Sequence, residues 1–497
     1  MKLFGSIGAT VFTLLLSDFR LCGVDAIKAD HVQCSGTTLN PLVIKGRRFF
    51  DSVTGDYFPV IGIAYFPRPN AGPLNASNSV DYFTDEYKDL WTQDIGYMKE
   101  LGVNTVRLYA VDPSKNHDAF MCALQQAGIY AMVGLLADCE NCGIGPNEPP
   151  SCYPDALKDR GQYIINEFSK YSNTLGFDAG NEVTLHSNDF QIELNAPCQK
   201  KFIRDMRAYI NTCSNVTATI LPRQVPIGMA NWDYQRELQS LYFNCEETDP
   251  LEAPDFYGIN VYLHCDPNAV SQDQLYGWIE LRDNFTQFNL PVPVIITEFG
   301  CRERFAAIGD FEAQRNWLQV GALYSSSYEE VFAGGIVFEY SAEKFIVDQS
   351  DQGNPWPYYG FMKLQYGVGY YSPVDCDHAT IPCVYNPYPE FYVLENAIAQ
   401  IDVSGIPNMN DSPATVGQIP TCPDAIPSIA NYVWTVDSAP DLPCYVIPTN
   451  APTSSPTPMT ENPQGGNGNS SGGVGLVAIV RSCFAVLLGI SFLSLLG

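Results

Sequence analysis

The chain has 497 residues, room for about three average domains, although an α/β barrel of roughly 250 residues folds as one. With 46% hydrophobic, 12% aromatic and 16% charged residues, and with 39 Gly and 36 Pro, it is globular and turn-rich rather than disordered or fibrous. The 27 Lys+Arg against 55 Asp+Glu leave a net charge of −28, which opposes sequence-independent binding to nucleic acid or anionic lipid and favours a neutral substrate. The 5 His fall in no H-E-x-x-H or Cys/His zinc spacing, so neither a metal site nor a cofactor is expected.

In chain order, Lys2 precedes an apolar stretch from Val11 to Leu16, and Val24, Asp25 and Ala26 supply a cleavage site. Residues 1–26 thus read as a secretory leader whose apolar run is too short to span a bilayer. Eight short apolar, β-branched runs follow: Val60 to Phe66, Val103 to Tyr109, Ile129 to Leu136, Thr174 to Asn181, Val225 to Asn231, Phe256 to Tyr262, Val292 to Glu298 and Gly334 to Tyr340. Between the first two, Tyr87, Leu90, Trp91, Ile95, Met98 and Leu101 recur at helical spacing. Similar segments cover Ala119 to Ala127, Ala156 to Tyr171, Gln199 to Asn211 and Glu312 to Glu330. Over residues 27–398 this predicts the α/β class, a (β/α)8 TIM barrel, with an open doubly wound sheet as the alternative because periodicity does not show closure.

Past Ile398 the alternation stops. Residues 399–448 are Pro-rich, contain Cys422 and Cys444, and read as a small disulfide-stapled C-terminal appendage. Residues 449–473 form a Pro/Ser/Thr and then Gly/Asn/Ser linker. Its stretch from Gly468 to Gly472 matches G-x-S-x-G, but without the strand before and helix after that a serine-hydrolase elbow requires. Residues 474–497 are an apolar tail with one charge, Arg481. Small residues, a short spacer and a terminal apolar tail make a glycosylphosphatidylinositol (GPI) anchor signal, with Asn469, Ser470, Ser471 and Gly472 as attachment candidates. The expected location is the extracellular face of the cell membrane, held there by the anchor, or the cell wall.

Of the 16 Cys, Cys22 leaves with the leader and Cys483 with the tail, and the even remainder of 14 suits seven disulfides. In this compartment the C-x-x-C at Cys139 and Cys142 reads as a structural disulfide rather than a redox pair. Sequons at Asn75, Asn215, Asn284, Asn410 and Asn469 are candidate glycosylation sites.

A barrel gathers its chemistry at the carboxyl ends of its strands. There the fourth run ends in Asn181 and Glu182, and the seventh in Thr297 and Glu298. Two carboxyls converging across a sugar-sized cleft suit retaining glycosidic chemistry, one protonating the leaving oxygen and the other attacking the anomeric carbon. Asn181 is positioned to hydrogen-bond the adjacent sugar hydroxyl, Tyr262 to orient Glu298, and Arg107 to hold Glu298 ionised. Tyr109 ends the second run, and Tyr340 ends the eighth, where it would stack on a sugar ring. Cys265 and Cys301 lie three residues beyond Tyr262 and Glu298, so equal offsets on neighbouring strands predict a disulfide between them.

With these residues in place the sequence resembles the fungal GPI-anchored β-1,3-glucanosyltransferases of glycoside hydrolase family 72. The matching stretches are NTVRLYA from Asn104, LGFDAGNEV from Leu175, DFYGINVY from Asp255, ITEFGC from Ile296 and GGIVFEY from Gly334. The resemblance implies Glu182 as acid/base and Glu298 as nucleophile. It also implies a donor site containing Asn181, Tyr109, Tyr262 and Tyr340, with β-1,3-glucan chains as donor and acceptor. It points to the Cys265–Cys301 pair, and Cys245 and Cys376 also match family cysteines. Where the family has Tyr-Gln after the first strand this chain has Tyr65-Phe66, which leaves Tyr65 as a sugar contact without its usual neighbour. The usual partner of Cys122 is missing, and Cys139, Cys142 and Cys152 are the candidates to replace it. A plain β-1,3-glucan hydrolase and a non-catalytic glucan-binding wall protein are the alternatives, since residue types do not separate transfer from hydrolysis.

Overall fold

Buried on both faces, the strands of a parallel barrel read as near-continuous apolar runs, and these do. In the computed structural model, which describes residues 34, 38–186, 191–216, 224–263, 269–300, 315–350, 356 and 366–444, eight such runs pair in parallel. They are β4 (Val60–Tyr65), β5 (Thr105–Leu108), β6 (Tyr130–Gly134), β7 (Thr174–Asn181), β8 (Ile227–Trp232), β9 (Phe256–Val261), β10 (Val294–Phe299) and β11 (Phe332–Val337). Each pairs with the next in sequence, and β11 closes on β4 through Gly334↔Val60 to Val337↔Ile63. The sheet is therefore a closed barrel, not an open doubly wound one.

Ahead of the barrel a small antiparallel sheet, β1 (Leu42–Lys45), β2 (Arg48–Asp51) and β3 (Tyr57–Phe58), covers the end of the barrel interior away from the strand exits. Leu42 and Phe49 join Val60, Phe256, Ile295 and Ile336 in one buried cluster, with the Phe49 and Phe256 rings edge to face at 6.1 Å. Gly228 makes room for that arrangement, since a Cβ there would lie 2.1 Å from the Phe256 ring.

The helices α1 (Lys88–Leu101), α2 (Asp118–Ala127), α3 (Asp155–Phe168), α4 (Ala196–Ser214), α5 (Arg236–Asn244) and α6 (Tyr276–Phe288) alternate with the strands. The stripe expected in the first of them is buried at Leu90, Trp91, Ile95, Met98 and Leu101. Gly102 then ends α1 at φ 84°, a left-handed turn that suits glycine and feeds the chain into β5. The helix expected over Glu312 to Glu330 is broken: α7 (Leu318–Leu323) stops before Ser325, whose backbone is extended and whose hydroxyl donates back to the Ala322 carbonyl at 2.7 Å, and α8 (Ser326–Glu329) follows. The helix α9 (Lys344–Ser350), the hairpin β12 (Gly369–Ser372) and β13 (Val384–Pro387), and α10 (Pro389–Ile398) complete the regular elements.

Residues 399–444 carry only short 3-10 turns, at Met409–Asp411, Ile429–Asn431 and Thr435–Ser438. Two disulfides, Cys245–Cys422 and Cys213–Cys444, and the buried Trp434 hold this segment to the barrel, with Lys158 donating to the Ala439 carbonyl at 2.8 Å. Cys34 is the partner of Cys122, so none of the three candidates fills that place: Cys139 pairs with Cys142, and Cys152 with Cys198. Cys376 pairs with Cys383 inside the hairpin. Cys265 and Cys301 lie outside the described residues. The equal-offset premise for joining them does not hold, because Glu298 faces Asn260 and not Tyr262 in the β9–β10 register. No helix among the described residues is long and apolar enough to cross a membrane, and the leader, linker and tail lie outside those residues.

Candidate active site

At the carboxyl ends of the strands a cleft of about 1390 Å³ crosses the barrel mouth, from Phe66 and Arg68 beyond β4 to Trp232 and Asp233 at the end of β8. Glu182 and Glu298 both line it. Glu298, 4% exposed, is held by three donors. Arg107 Nη1 and the Tyr109 hydroxyl reach its Oε1 at 2.8 and 2.9 Å, and the Tyr262 hydroxyl donates to its Oε2. Burial pushes both tyrosines well above the ordinary phenol range, so they remain donors. Arg107 pulls Glu298 toward the ionised form as expected, but burial outweighs it, with the charge of Glu182 adding to the effect, and Glu298 is pushed up to about 7.

Arg107 is fully buried and does more than pair with Glu298. Its Nε donates to Asp178 Oδ2 at 3.1 Å, its Nη2 donates to Asn181 Oδ1 at 2.8 Å, and its guanidinium lies 4.8 Å from the centre of the Tyr109 ring. Asp178 in turn accepts from the Gly180 amide at 3.1 Å, shaping the turn that presents Glu182. Glu182 itself sits at φ 49°, a left-handed conformation costing a non-glycine residue roughly 1–2 kcal/mol. The hydrogen bond from its amide to the Ala230 carbonyl, 2.8 Å, secures that turn.

Asn260, which the sequence reading missed, joins the two halves. Its Nδ2 donates to Glu182 Oε1 at 2.9 Å and to Asn181 Oδ1 at 3.0 Å, while its Oδ1 accepts from Thr297 Oγ1 at 2.8 Å. Burial raises the Glu182 carboxyl above its ordinary value, while Asn260 and Arg107 pull it back. Asn181 Oδ1 is thus doubly engaged, by Arg107 and by Asn260. The signal for Asn260 was its place two residues before Tyr262, on the same side of one strand. Two further carboxyls, Glu339 and Glu343, line the cleft, the second ion-paired with Arg68 at 3.1 Å.

Tyr65 and Tyr340, expected as sugar contacts, do not line the cleft. Both are 0% exposed, and their hydroxyls turn into the protein to meet Asp94 of α1, at 2.8 and 3.0 Å. Tyr371 donates to the same carboxylate at 2.6 Å. The Tyr340 ring stacks on Tyr385, with centroids 4.1 Å apart, rather than on anything in the cleft. The aromatic residues that do line this side are Phe66, Phe338 and Tyr366. Among the sequons, Asn215 and Asn410 are exposed, and Asn75 is half-buried. Asn284 accepts from Arg236 at 2.7 Å. Asn469, Ser470, Ser471 and Gly472 lie outside the described residues.

A closed parallel barrel with facing carboxyls at the exits of its fourth and seventh strands is the frame of a glycoside-active enzyme. The family described as Glucanosyltransferase, glycoside hydrolase family 72, matches residues 31–352, and the chain belongs to it. It is 33% identical over 310 residues to the 1,3-beta-glucanosyltransferase GAS4 of Saccharomyces cerevisiae, covering 62% of this chain and 60% of that one. It is 34% identical over 310 residues to the 1,3-beta-glucanosyltransferase gel1 of Aspergillus fumigatus, covering 61% and 60%. The chain thus spans about 60% of the length of these relatives. A solved structure of Saccharomyces cerevisiae Gas2p in complex with laminaripentaose is similar at a TM-score of 0.57 and 27% identity, covering 78% of this chain and 75% of that one.

Proposed function

We propose that the protein is a retaining transglycosylase that cleaves a β-1,3-glucan chain and transfers the piece to another β-1,3-glucan end. The observation that carries this reading is the pair itself: Glu298 fixed by three donors, and Glu182 raised by burial and oriented by Asn260. A protonated Glu182 removes the repulsion that raises Glu298, which then ionises against Arg107. Glu298 attacks the anomeric carbon as the glycosidic C–O bond breaks, and Glu182 gives its proton to the leaving oxygen. In the second step Glu182 takes the proton of an acceptor hydroxyl, whose oxygen displaces Glu298 from the same carbon. The naming of the relatives and the β-1,3-linked oligosaccharide in the Gas2p complex support the substrate class.

The decisive experiment incubates the protein with one reducing-end-labelled β-1,3-glucan oligosaccharide. Products longer than the substrate are expected. Shorter products alone would make it a hydrolase, and no change a binding protein.

The routing read from the sequence completes the proposal: a leader over 1–26, an appendage over 399–448, a linker over 449–473, and a tail over 474–497 exchanged for a GPI anchor at the cell surface. A phosphatidylinositol-specific phospholipase is expected to release the mature protein from detergent into water. Recovery of the peptide Phe484 to Leu496 from the mature chain would refute the exchange.

A further inference from the structure

The cleft runs across the barrel, and the chemistry gives its two ends different work. In a retaining reaction the acid/base touches the oxygen between the reacting sugar and the leaving sugar. Glu182 follows the end of β7, beside β8, so the leaving group lies toward β8. The part of the donor chain that stays on the enzyme therefore lies beyond Glu298, over the exits of β10, β11 and β4. Phe66, Arg68, Phe338, Glu339, Glu343 and Tyr366 line the cleft there.

Three carboxyls meet at this end, and two of them are satisfied. Glu298 has its three donors, and Glu343 is paired with Arg68 at 3.1 Å. Glu339 lines the cleft at 5% exposure, yet no described residue donates a hydrogen bond to its carboxyl. Buried polar groups normally have partners, so a carboxyl left open in a cleft wall takes its partner from the cleft.

The two guanidinium groups whose charge reaches Glu339 are engaged elsewhere. Arg68 Nη1 donates to the Asn75 and Ser77 carbonyls at 3.0 and 2.9 Å, and its Nη2 donates to Asn78 Oδ1. Arg315 donates to the Tyr366 and Gly367 carbonyls, both at 2.7 Å, and to Glu390 at 3.1 Å. The backbone pins Glu339 in the wall, its amide donating to the Tyr366 carbonyl at 3.2 Å and its carbonyl accepting from the Val368 amide at 2.9 Å. Burial, and then the charges of Glu343 and Glu298, outweigh Arg68 and Arg315 and push the carboxyl well above its ordinary range. As a neutral acid it offers both a donor and an acceptor, which suits two hydroxyls of an uncharged sugar.

We propose that Glu339 is a donor-binding residue, exchanging hydrogen bonds with hydroxyls of the sugar chain held beyond Glu298 from Glu182. This rests on the reading above in which those two carboxyls cleave β-1,3-glucan. Phe66, Phe338 and Tyr366 supply apolar walls on the same side.

The test measures the KM for a β-1,3-glucan oligosaccharide donor, the KM for the acceptor, and Tm, in Glu339→Leu and Glu339→Gln. Glu339→Leu is expected to raise the donor KM about tenfold, the loss of one to two hydrogen bonds, with the acceptor KM unchanged. Its Tm should hold or rise, because an apolar side chain relieves a buried carboxyl that has no partner in the protein. Glu339→Gln, which keeps a neutral donor and acceptor, should recover most of the lost donor affinity. An unchanged donor KM in Glu339→Leu overturns the proposal, as does an equal rise in both KM values. Equal impairment of the two variants also overturns it, and so does loss of the fold in Glu339→Leu, which would make the carboxyl a structural group. Wild-type protein that leaves β-1,3-glucan uncut overturns the enzyme reading and this contact together. Shorter products alone overturn transfer, while the donor KM still decides the contact.

Discussion

Asn260 is the register partner of Glu298 across β9 and β10, yet its amide nitrogen donates to Glu182, two strands around the barrel, at 2.9 Å. One neutral side chain thus sets the position of one carboxyl from beside the other.

The pH profile separates the two carboxyls. Asn260 favours the charged form of Glu182, so Asn260→Ala should raise that carboxyl further and move the basic limb of kcat/KM to higher pH. Tyr262 favours the charged form of Glu298, so Tyr262→Phe should move the acidic limb to higher pH. Profiles in which the two variants shift the same limb would contradict the division of roles.

Chemistry distinguishes them again. Glu298→Gln should abolish turnover with every donor, because an amide forms no glycosyl ester. Glu182→Ala should keep ester formation from donors with a good leaving group, which need no acid. Single-turnover kinetics on an aryl glycoside should show an intermediate in the second variant only.

Much of this was legible in the sequence because strand ends carry the chemistry of a barrel. The pair of carboxyls, Arg107, Tyr109, Asn181 and Tyr262 all stand at or next to such ends. Tyr65 and Tyr340 stand there too, but position along a strand does not say which way a ring turns. What decides it is Asp94, a carboxylate on the buried stripe of α1 that three tyrosines satisfy. Its spacing, three residues after Trp91 and four before Met98, was the available signal. The sheet formed by β1, β2 and β3 also went unread, since its strands are only four, four and two residues long.

Stability should depend on His117. Its Nε2 lies 2.8 Å from Asp81 and its Nδ1 3.3 Å from Glu167. Burial lowers its pKa, but the two carboxylates outweigh burial and hold it at about 9. A folded-state value above the unfolded one stabilises fully below pH ~6.5, and the gain is lost as pH rises through about 9. The shift is worth on the order of 3 kcal/mol. The Tm difference between wild type and His117→Gln should therefore shrink between pH 6.5 and pH 9. A constant difference would show that the pair carries no linkage.

Between the proposed leader and tail, the described disulfides leave Cys265 and Cys301 as the remaining cysteines. Non-reducing peptide mapping should find them joined, closing a loop that contains α6 and β10 and holding the exits of β9 and β10 together. Replacing both by Ser is expected to lower Tm and kcat together, with a stability loss of roughly 2–4 kcal/mol. Recovery of either as a free thiol would refute the bridge.

The bridge from Cys213 to Cys444 spans 231 residues of sequence and lands near the end of α4, a helix of 19 residues packed along the barrel. A pull on the chain beyond Cys444 therefore has a covalent route into α4 that bypasses the Pro-rich segment before it. With Cys245–Cys422 as a second rivet, that segment behaves as a strapped-down collar rather than a tether, and tension from the surface side reaches the barrel wall without first peeling away its cover.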